Sequence, residues 1–429
     1  MLKNIVLCAD GTCNAYGHSS SNVARLLDFI ELQTEDEQVV CYDQGIGTRR
    51  KEQARVEAFR DSLGQRSALY LLKPPRDSWN DPLSWPFLVA SMTAGLGLKT
   101  NVRQLYVKLA ELYSPGDRVF LFGFSRGAFT VRALAGLTWR YGLPAVGNAS
   151  ASTRIAIADA RFAEAWPLFM REFPDPHKNK ARKAREFLEQ GGHLCPIHFL
   201  GVWDTVKSYG GLRPRMLPNL RHNASVATVR HAMSLNERRG WFEATTWGWL
   251  DSDQEKGAAI SRLAQSDIEA IKKQDVFEVW FTGCHADVGG GGWTDRSSSI
   301  ALRWMLGEAR QAKLRLNAYG RWFMTMPGEC ESPAIDESRS RAWRVIDWFP
   351  RMAIKNDKTW PRHVWARKAS PRRPQDSVRR NTVWYHESVT DLSVFRNVST
   401  GVAVKPYRTS RLRETAVAVG GLPLPWQRN

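Results

Sequence analysis

Short apolar runs recur along this chain, and each of them ends in a polar loop. Five runs are predicted to be strands, at residues 4–9, 38–42, 118–122, 196–202 and 275–281. Helices are predicted from the apolar spacing at residues 22–32, 100–113, 128–139 and 297–312. Residues 51–72 are charged and compatible with a helix, whereas residues 212–250 show no regular pattern. The alternation of strands and helices predicts an α/β fold with a mostly parallel sheet flanked by helices.

One residue capable of chemistry lies just past each predicted strand: Asp10, Asp43, Ser125, Asp204 and His285. In parallel α/β sheets, ligands bind along the edge that the carboxyl ends of the strands form. The last three residues occur in the order Ser, Asp, His, which is the order of the α/β-hydrolase triad. The pattern therefore predicts an α/β-hydrolase-type fold with its site at this edge.

The third predicted strand runs directly into Gly123-Phe124-Ser125-Arg126-Gly127, and a predicted helix follows. The spacing G-x-S-x-G suits a sharp turn from strand to helix, because the two small residues allow tight folding and leave the serine Oγ accessible. A chance match in a loop is the alternative, but the strand and the helix on either side favour the turn. Ser125 is the predicted nucleophile.

A serine hydroxyl needs a base to take its proton during attack, and the base needs an acceptor that orients its ring. His285 is the predicted base and Asp204 the favoured acceptor. Asp287 is the rival acceptor, although it would need a tight turn to reach the ring of so close a neighbour. Three other histidines are read as structural: His193 and His198 flank a strand start, and His231 falls in a predicted helix.

A tetrahedral intermediate requires two donors aimed at its oxyanion. The backbone N–H of Arg126 is one candidate, since it follows the nucleophile. The loop at Gly11 and Thr12 is the predicted source of the second. Asp10 and Asp43 either support this site or simply cap loops at strand ends. Glycines 289–292 lack the lysine and hydroxyl of a phosphate-binding loop and are interpreted as the turn that presents His285.

The predicted catalytic domain covers residues 1–315, with a polar, helical insertion at about 145–192. Residues 316–429 form a basic C-terminal extension that contains tryptophan. Its stretch 351–380 has ten basic and two acidic residues around Trp360 and Trp365. This composition suits docking on an anionic membrane surface or on a partner, and a solvated linker is the alternative. The apolar run 85–98 is shorter than the roughly twenty residues that span a bilayer; it could line an acyl pocket, act as a lid or pack as a buried helix.

The net charge is +18, from 61 Lys and Arg against 43 Asp and Glu. Such a field favours anionic partners, phospholipid headgroups among them, although a solvated basic surface without a specific partner explains it equally well. No nucleic-acid-binding motif is present, so no nucleic-acid partner is expected. The six cysteines are scattered without metal-ligand spacing, and neither a metal nor an organic cofactor is expected. No signal peptide is recognisable at the N-terminus, which favours cytoplasmic synthesis.

Six motifs together resemble an α/β-hydrolase family long catalogued as a domain of unknown function, whose best characterised members are phospholipase effectors of type VI secretion systems. The resemblance covers roughly residues 3–310 and, more weakly, His386-Glu387-Ser388-Val389. Two positions depart from the family pattern: Cys13 replaces a large aromatic residue, and Asn236 replaces a common aspartate. The motifs are Asp10-Gly11-Thr12-x-Asn14, Tyr42-Asp43-Gln44-Gly45-Ile46-Gly47-Thr48, residues 123–129, Gly201-Val202-Trp203-Asp204-Thr205-Val206, His231-Ala232 with Asn236-Glu237-Arg238-Arg239, and residues 285–291.

The resemblance implies Ser125 as nucleophile, Asp204 as acid and His285 as base. For some members it implies hydrolysis of glycerophospholipid esters, export by a type VI secretion system, and an immunity or secretion-adaptor protein as partner. We therefore expect a serine ester hydrolase that forms an acyl-enzyme and acts on a phospholipid or related lipid. An intracellular esterase with a soluble substrate and a non-catalytic interaction protein on the same fold are the alternatives.

Overall fold

The protein is described here from a computed structural model. The structure describes residues 2–11, 20–32, 36–45, 50–64, 67–72, 97–147, 149–171, 186–187, 189, 192–206, 222–239, 242, 244–247, 265–292, 296–325, 350–355, 358–365, 382–389 and 403–407.

Nine strands of the described part form one sheet, in the order β13-β12-β9-β8-β7-β4-β1-β2-β3, and every neighbouring pair is parallel. Two antiparallel pairs, β5 with β6 and β10 with β11, lie outside it. The predicted α/β fold with its mostly parallel sheet is confirmed. In chain order the strands are β1 Asn4–Ala9, β2 Gln38–Asp43, β3 Leu69–Leu72, β4 Arg118–Phe124, β5 Leu143–Pro144, β6 Gly192–His193, β7 Ile197–Trp203, β8 Val226–Ser234, β9 Asp275–Phe281, β10 Pro350–Lys355, β11 Lys358–Trp365, β12 Thr382–His386 and β13 Ala403–Tyr407.

The central strands read as continuous apolar runs because both faces of the sheet are covered. Alternate residues of β1 point to opposite faces: Ile5 and Leu7 enter one apolar cluster, and Val6 and Cys8 enter the other. Helices Leu98–Leu112, Arg126–Tyr141 and Ala151–Arg171 cover the first face, and helices Asn22–Phe29, Arg296–Gln311 and Ala318–Thr325 cover the second. The other described helices are Arg50–Ser62, Gln265–Lys273 and His285–Gly289.

Two stretches differ from the prediction. The irregular stretch 212–250 contains β8, a central strand, so His231 lies in a strand and not in a helix. The strand was not predicted because two polar residues interrupt its apolar run. In the fold the Arg230 guanidinium is buried against Glu308, and His231 against Glu278. The stretch 51–72 holds a helix only to Ser62 and then β3, which is too short to show a period of its own.

The predicted insertion contributes the helix Ala151–Arg171, which lies between the paired strands β5 and β6. Its apolar side packs on the helix Leu98–Leu112, where the rings of Phe162 and Tyr106 lie 5.7 Å apart. Of the apolar run 85–98, all but the last two residues fall outside the described residues.

Part of the C-terminal extension joins the main sheet, because β12 pairs with β9 and β13 with β12. Val383 of β12 is fully buried beside Trp280 of β9. The basic stretch 351–380 is described only at the hairpin of β10 and β11. The division of the chain at residue 315 stays a prediction.

Candidate active site

Ser125 occupies a sharp turn between β4 and the helix that begins at Arg126. Its backbone has φ 56° and ψ −118°, which is a strained conformation for a residue with a side chain. The two glycines of the motif leave room for this turn. A Cβ at Gly127 would collide with the carbonyl of Ala9 on β1, and one at Gly123 would collide with the backbone of Ala128. The local sequence thus forces the serine to the carboxyl edge of the sheet.

Asp204 follows β7, the strand beside β4, and its side chain is fully buried. Ser234, at the end of the next strand, donates its backbone N–H to Oδ1 (3.1 Å) and its hydroxyl to Oδ2 (2.9 Å). The backbone N–H of Asp204 donates to the carbonyl of Ala232 on the same strand (2.7 Å). Ser234 therefore fixes the carboxylate, and Ala232 fixes the main chain of Asp204.

Three residues separate His285 from the end of β9, and His285 opens the short helix His285–Gly289. Its Nδ1 lies 2.6 Å from Oδ2 of Asp204. The ring packs on Phe124, with centroids 4.5 Å apart, and meets the edge of Phe242 at 4.8 Å. When Nδ1 donates to the carboxylate, Nε2 is left as the basic nitrogen. The acid and histidine predicted from the sequence are thus hydrogen-bonded to each other.

Burial lowers the pKa of His285, although the hydrogen bond and the charge of Asp204 oppose this effect. The charge of Arg239 lowers the pKa further, and that of Glu237 raises it. A histidine with a lowered pKa is neutral at pH 7, as a general base must be.

No hydrogen bond joins Ser125 Oγ to His285 among the hydrogen bonds of the described residues. The His285 ring instead packs on that of Phe124, the residue before Ser125. In enzymes without bound substrate, the hydrogen bond between base and nucleophile is often long and shortens only when substrate binds.

Asp287, the rival acceptor, serves a different partner. Its Oδ2 accepts the backbone N–H of Cys284 (2.8 Å), which caps the short helix that begins at His285. The Nδ1 of His285 is held by Asp204 instead. Asp287 therefore acts on the main chain of this turn, whereas Asp204 acts on the imidazole.

The predicted oxyanion loop follows β1, the strand on the other side of β4. In this structure the N–H of Gly11 donates to Oδ1 of Asp10 (2.7 Å), and Oδ2 of Asp10 accepts the hydroxyl of Tyr42 (2.7 Å). Thr12 lies outside the described residues. The oxyanion roles of Gly11, Thr12 and Arg126 stay predictions.

Asp10 directly follows β1 and Asp43 is the last residue of the adjacent strand β2; the N–H of Asp10 donates to the carbonyl of Asp43 (2.9 Å). Burial raises the pKa of Asp10 to about 6. Burial and the charge of Asp10 raise the pKa of Asp43 to about 8, so that this fully buried carboxyl is mainly protonated at pH 7. Both groups lie beside the site without contacting the histidine.

Among the described histidines, His231 and His198 have structural partners. His231 is fully buried, with Nδ1 2.9 Å from Glu278 and Nε2 accepting the backbone N–H of Thr205 (3.1 Å). It thereby supports the turn that carries Asp204. The Nε2 of His198 lies 2.8 Å from the carbonyl of Ala312.

Three contributors to the site escaped the sequence analysis: Ser234, Glu237 and Phe242. Glu237 accepts the backbone N–H of His285 at 3.1 Å. The motif at residues 236–239 was noted for its resemblance, but nothing local to it indicated a role. Ser234 and Phe242 carry no signal in the sequence, because their partners are distant along the chain.

The described residues contain no group of three His, Cys, Asp or Glu side chains that could hold a metal ion. Within the same residues, no helix is both long and apolar enough to cross a bilayer.

The sequence model of the catalytic domain of type VI secretion (T6SS) phospholipase effectors of the Tle1-like kind matches residues 3–308. This chain belongs to the Tle1-like family. The resemblance inferred from the six motifs is thus confirmed over residues 3–308.

Two further proteins are similar to this Tle1-like chain. An uncharacterized protein of Saccharomyces cerevisiae is 31% identical over 248 residues, which cover 56% of this chain and 32% of the yeast protein. The crystal structure of an uncharacterized protein from Pseudomonas aeruginosa matches with a TM-score of 0.39 and 20% identity, over 77% of this chain and 48% of that one. The chain thus spans about a third and about half of these two proteins.

Proposed function

We propose that this Tle1-like protein is a serine hydrolase that cleaves a carboxylic ester of a phospholipid through an acyl-enzyme intermediate. The observation that carries the proposal is the 2.6 Å contact between Asp204 and His285, with the imidazole packed on the residue that precedes the strained Ser125. Serine, histidine and aspartate in these relations are the machinery of acyl transfer.

In the proposed first step, Nε2 of His285 takes the proton of Ser125 while Oγ attacks the acyl carbon. Asp204 stabilises the imidazolium that forms. The backbone N–H of Arg126 and a donor from the Gly11–Thr12 loop would hold the oxyanion. When the ester bond breaks, the imidazolium gives its proton to the leaving alcohol and the acyl group stays on Ser125.

In the second step, His285 takes a proton from water, which attacks the acyl-enzyme. Collapse of the second tetrahedral intermediate releases the carboxylic acid and returns the proton to Ser125. No part of this cycle needs a redox change or a second substrate besides water. The lowered pKa of His285 suits it, since the free imidazole must start each half-reaction.

Two observations support a phospholipid as the ester. Membership of a family described as phospholipase effectors supports a lipid substrate. The net charge of +18 favours approach to anionic lipid surfaces. Delivery by a type VI secretion system, and binding of an immunity or adaptor protein, are part of the proposal on the same family grounds.

The test is release of fatty acid from vesicles of mixed zwitterionic and anionic phospholipids by the wild type and by Ser125→Ala. We expect release by the wild type only, with the same thermal unfolding for both proteins. Parallel labelling with a fluorophosphonate separates the alternatives. Labelled Ser125 without fatty-acid release would indicate a soluble ester as substrate. Absence of both would refute catalysis and favour an interaction protein.

A further inference from the structure

The loop after β8 reaches across to the loop that carries His285. The backbone N–H of Asn236 donates to the carbonyl of Gly283 (2.9 Å), and the N–H of Gly283 donates to Oδ1 of Asn236 (2.8 Å). One residue further on the first loop, Oε2 of Glu237 accepts the backbone N–H of His285 (3.1 Å). Three hydrogen bonds in succession therefore join the two loops up to the histidine.

Glu237 is itself held firmly. Its Oε1 accepts the backbone N–H (2.7 Å) and Nε (2.9 Å) of Arg239, and its Oε2 accepts Nη2 of Arg239 (2.8 Å). The carboxylate is fully buried, and the arginine side chain is only 13% exposed. A two-point contact between guanidinium and carboxylate fixes orientation as well as distance.

The arginine completes a closed arrangement around the imidazole. Its guanidinium lies 3.8 Å above the ring of Phe242, and the edge of Phe242 meets His285. We call Glu237, Arg239 and Phe242 the histidine clamp. The clamp holds His285 by its main chain and by one side of its ring, Asp204 holds Nδ1, and Phe124 covers another side of the ring.

We propose that Glu237 is a positioning residue, which fixes the main chain at His285 and so holds the imidazole between Asp204 and the nucleophile. The inference rests on the proposed serine mechanism. It explains why a buried carboxylate is placed on the backbone of this residue: the N–H of the first residue of a helix has no partner within that helix. Misplacement of a catalytic base by about 1 Å costs on the order of 100-fold in rate.

The charge of Glu237 also affects the pKa of His285, which gives the positioning role a second, measurable consequence. Asp204 faces the ring from the end of β7, Glu237 and Arg239 face it from the loop after β8, and Asp287 lies on its own helix, bonded to Cys284. Burial would raise the pKa of Glu237, but the hydrogen bonds and charge of Arg239 outweigh burial and lower it. Glu237 is therefore ionised near pH 7, and its charge raises the pKa of His285 while that of Arg239 lowers it.

The experiment compares three variants with the wild type. Glu237→Gln keeps the size and one acceptor oxygen but removes the charge, and Glu237→Ala removes the acceptor as well. Glu308→Gln is the matched control. Glu308 accepts Nε of Arg230 (2.6 Å) in another buried ion pair, which supports the middle of β8 and not the site. Each protein is assayed for hydrolysis of a soluble p-nitrophenyl ester between pH 5 and pH 9, for the rate of fluorophosphonate labelling, and for thermal unfolding.

For Glu237→Gln we expect the acidic limb of kcat/KM to move to lower pH, by a few tenths to about one pH unit, because a charge that favours the imidazolium is lost. For Glu237→Ala we expect kcat and the labelling rate to fall about 10- to 100-fold with little change in KM. Glu308→Gln should lower the unfolding temperature and leave the acidic limb where it is.

If the acidic limb of Glu237→Gln coincides with that of the wild type, and its loss of activity parallels only a loss of folded protein as in Glu308→Gln, Glu237 is merely structural and the inference fails. Should Glu237→Ala not fold, the pH profile of Glu237→Gln decides alone. A wild type that neither labels nor hydrolyses would refute the proposed function, and the inference with it. If the wild type is reactive but the Glu237 variants keep its acidic limb, kcat and labelling rate, only the role of Glu237 is refuted.

Discussion

At the residue scale, two aspartates near His285 have separate partners. The Asp204 carboxylate bonds the imidazole and two donors of Ser234, whereas the Asp287 carboxylate bonds the backbone of Cys284. Distance along the chain is a poor guide here, because Asp287 is two residues from the histidine and Asp204 is eighty-one away. In the short helix His285–Gly289, the Asp287 carboxylate bonds to the backbone of Cys284, whereas the parallel sheet places Asp204 beside the imidazole.

The first prediction compares Asp204→Asn with Asp287→Asn. Asparagine at 204 cannot hold the tautomer or stabilise the imidazolium, so kcat should fall about 10³- to 10⁴-fold. Asparagine at 287 still offers an acceptor to Cys284, and kcat should fall by less than about 10-fold. Ester hydrolysis and fluorophosphonate labelling measure both. If the two variants rank the other way, Asp204 is not the triad acid.

At the element scale, the turn at Ser125 depends on the close approach of β1 to the helix that follows this residue. Gly127 lies against the carbonyls of Ala9 and Asp10, in a space that no side chain can share. This contact sets how closely the turn at Ser125 approaches the loop after β1.

The second prediction concerns Gly127→Ala. The added methyl group must push β1 and the helix apart, so the labelling rate of Ser125 should fall at least about 100-fold and the unfolding temperature should drop. Gly147→Ala is the control, since Gly147 has φ 51° but open space around it. It should cost only the conformational penalty of about 1–2 kcal/mol and keep its labelling rate. Equal labelling of both variants would contradict the steric account.

The end of β2 yields the third prediction, on the pH dependence of stability. The pKa of Asp43 is about 8 in the folded protein, against an ordinary value of 3.8. A carboxyl whose pKa is raised by folding stabilises the fold fully below about pH 4 and loses this contribution as pH rises through about 8. The amide of the variant Asp43→Asn would stay neutral throughout this range.

We therefore expect the unfolding temperature of Asp43→Asn, relative to that of the wild type, to be higher at pH 9 than at pH 5, by roughly several degrees. Asp61→Asn, at an exposed ion pair with Arg60, is the control and should show no such divergence. If the unfolding temperature of Asp43→Asn relative to the wild type is the same at pH 5 and pH 9, Asp43 is ionised in the fold at both pH values.

At the scale of the whole molecule, the sheet extends beyond the region that defines the family. The family match ends at residue 308, but β12 pairs with β9, the strand that precedes His285, and β13 pairs with β12. The buried cluster of Met233, Trp280 and Val383 spans this junction. The C-terminal strands thus pack on the same sheet as the site.

The fourth prediction is that these strands unfold together with the catalytic sheet. Val383→Ala should cost about 1–3 kcal/mol through the cavity it leaves and should lower the temperature of one single transition. Lys405→Ala, on exposed surface of the neighbouring strand, should change little. Two calorimetric transitions, with only one of them shifted by Val383→Ala, would show an independent C-terminal unit.

Whether an element could be predicted from the sequence depended on how far apart along the chain the residues that define it lie. Strand β4, the turn at Ser125 and the following helix are encoded within about twenty residues, and local pattern was enough for them. Strand β8 was missed, since Arg230 and His231 interrupt its apolar run and find acidic partners only in the folded chain. Strands β3, β12 and β13 were not predicted, and their place in the sheet depends on the strand edges they cover.

By itself, the sequence determined the α/β class, the sharp turn at Ser125 and the order of Ser125, Asp204 and His285 along the chain. Those features are local, or follow from the rule that parallel strands present their carboxyl ends on one edge. Tertiary structure alone decided that Asp204 and not Asp287 meets the imidazole, and that Ser234 and Glu237 support the pair. These are hydrogen bonds between residues 30 to 81 positions apart, and their geometry exists only after the sheet has set the strand order.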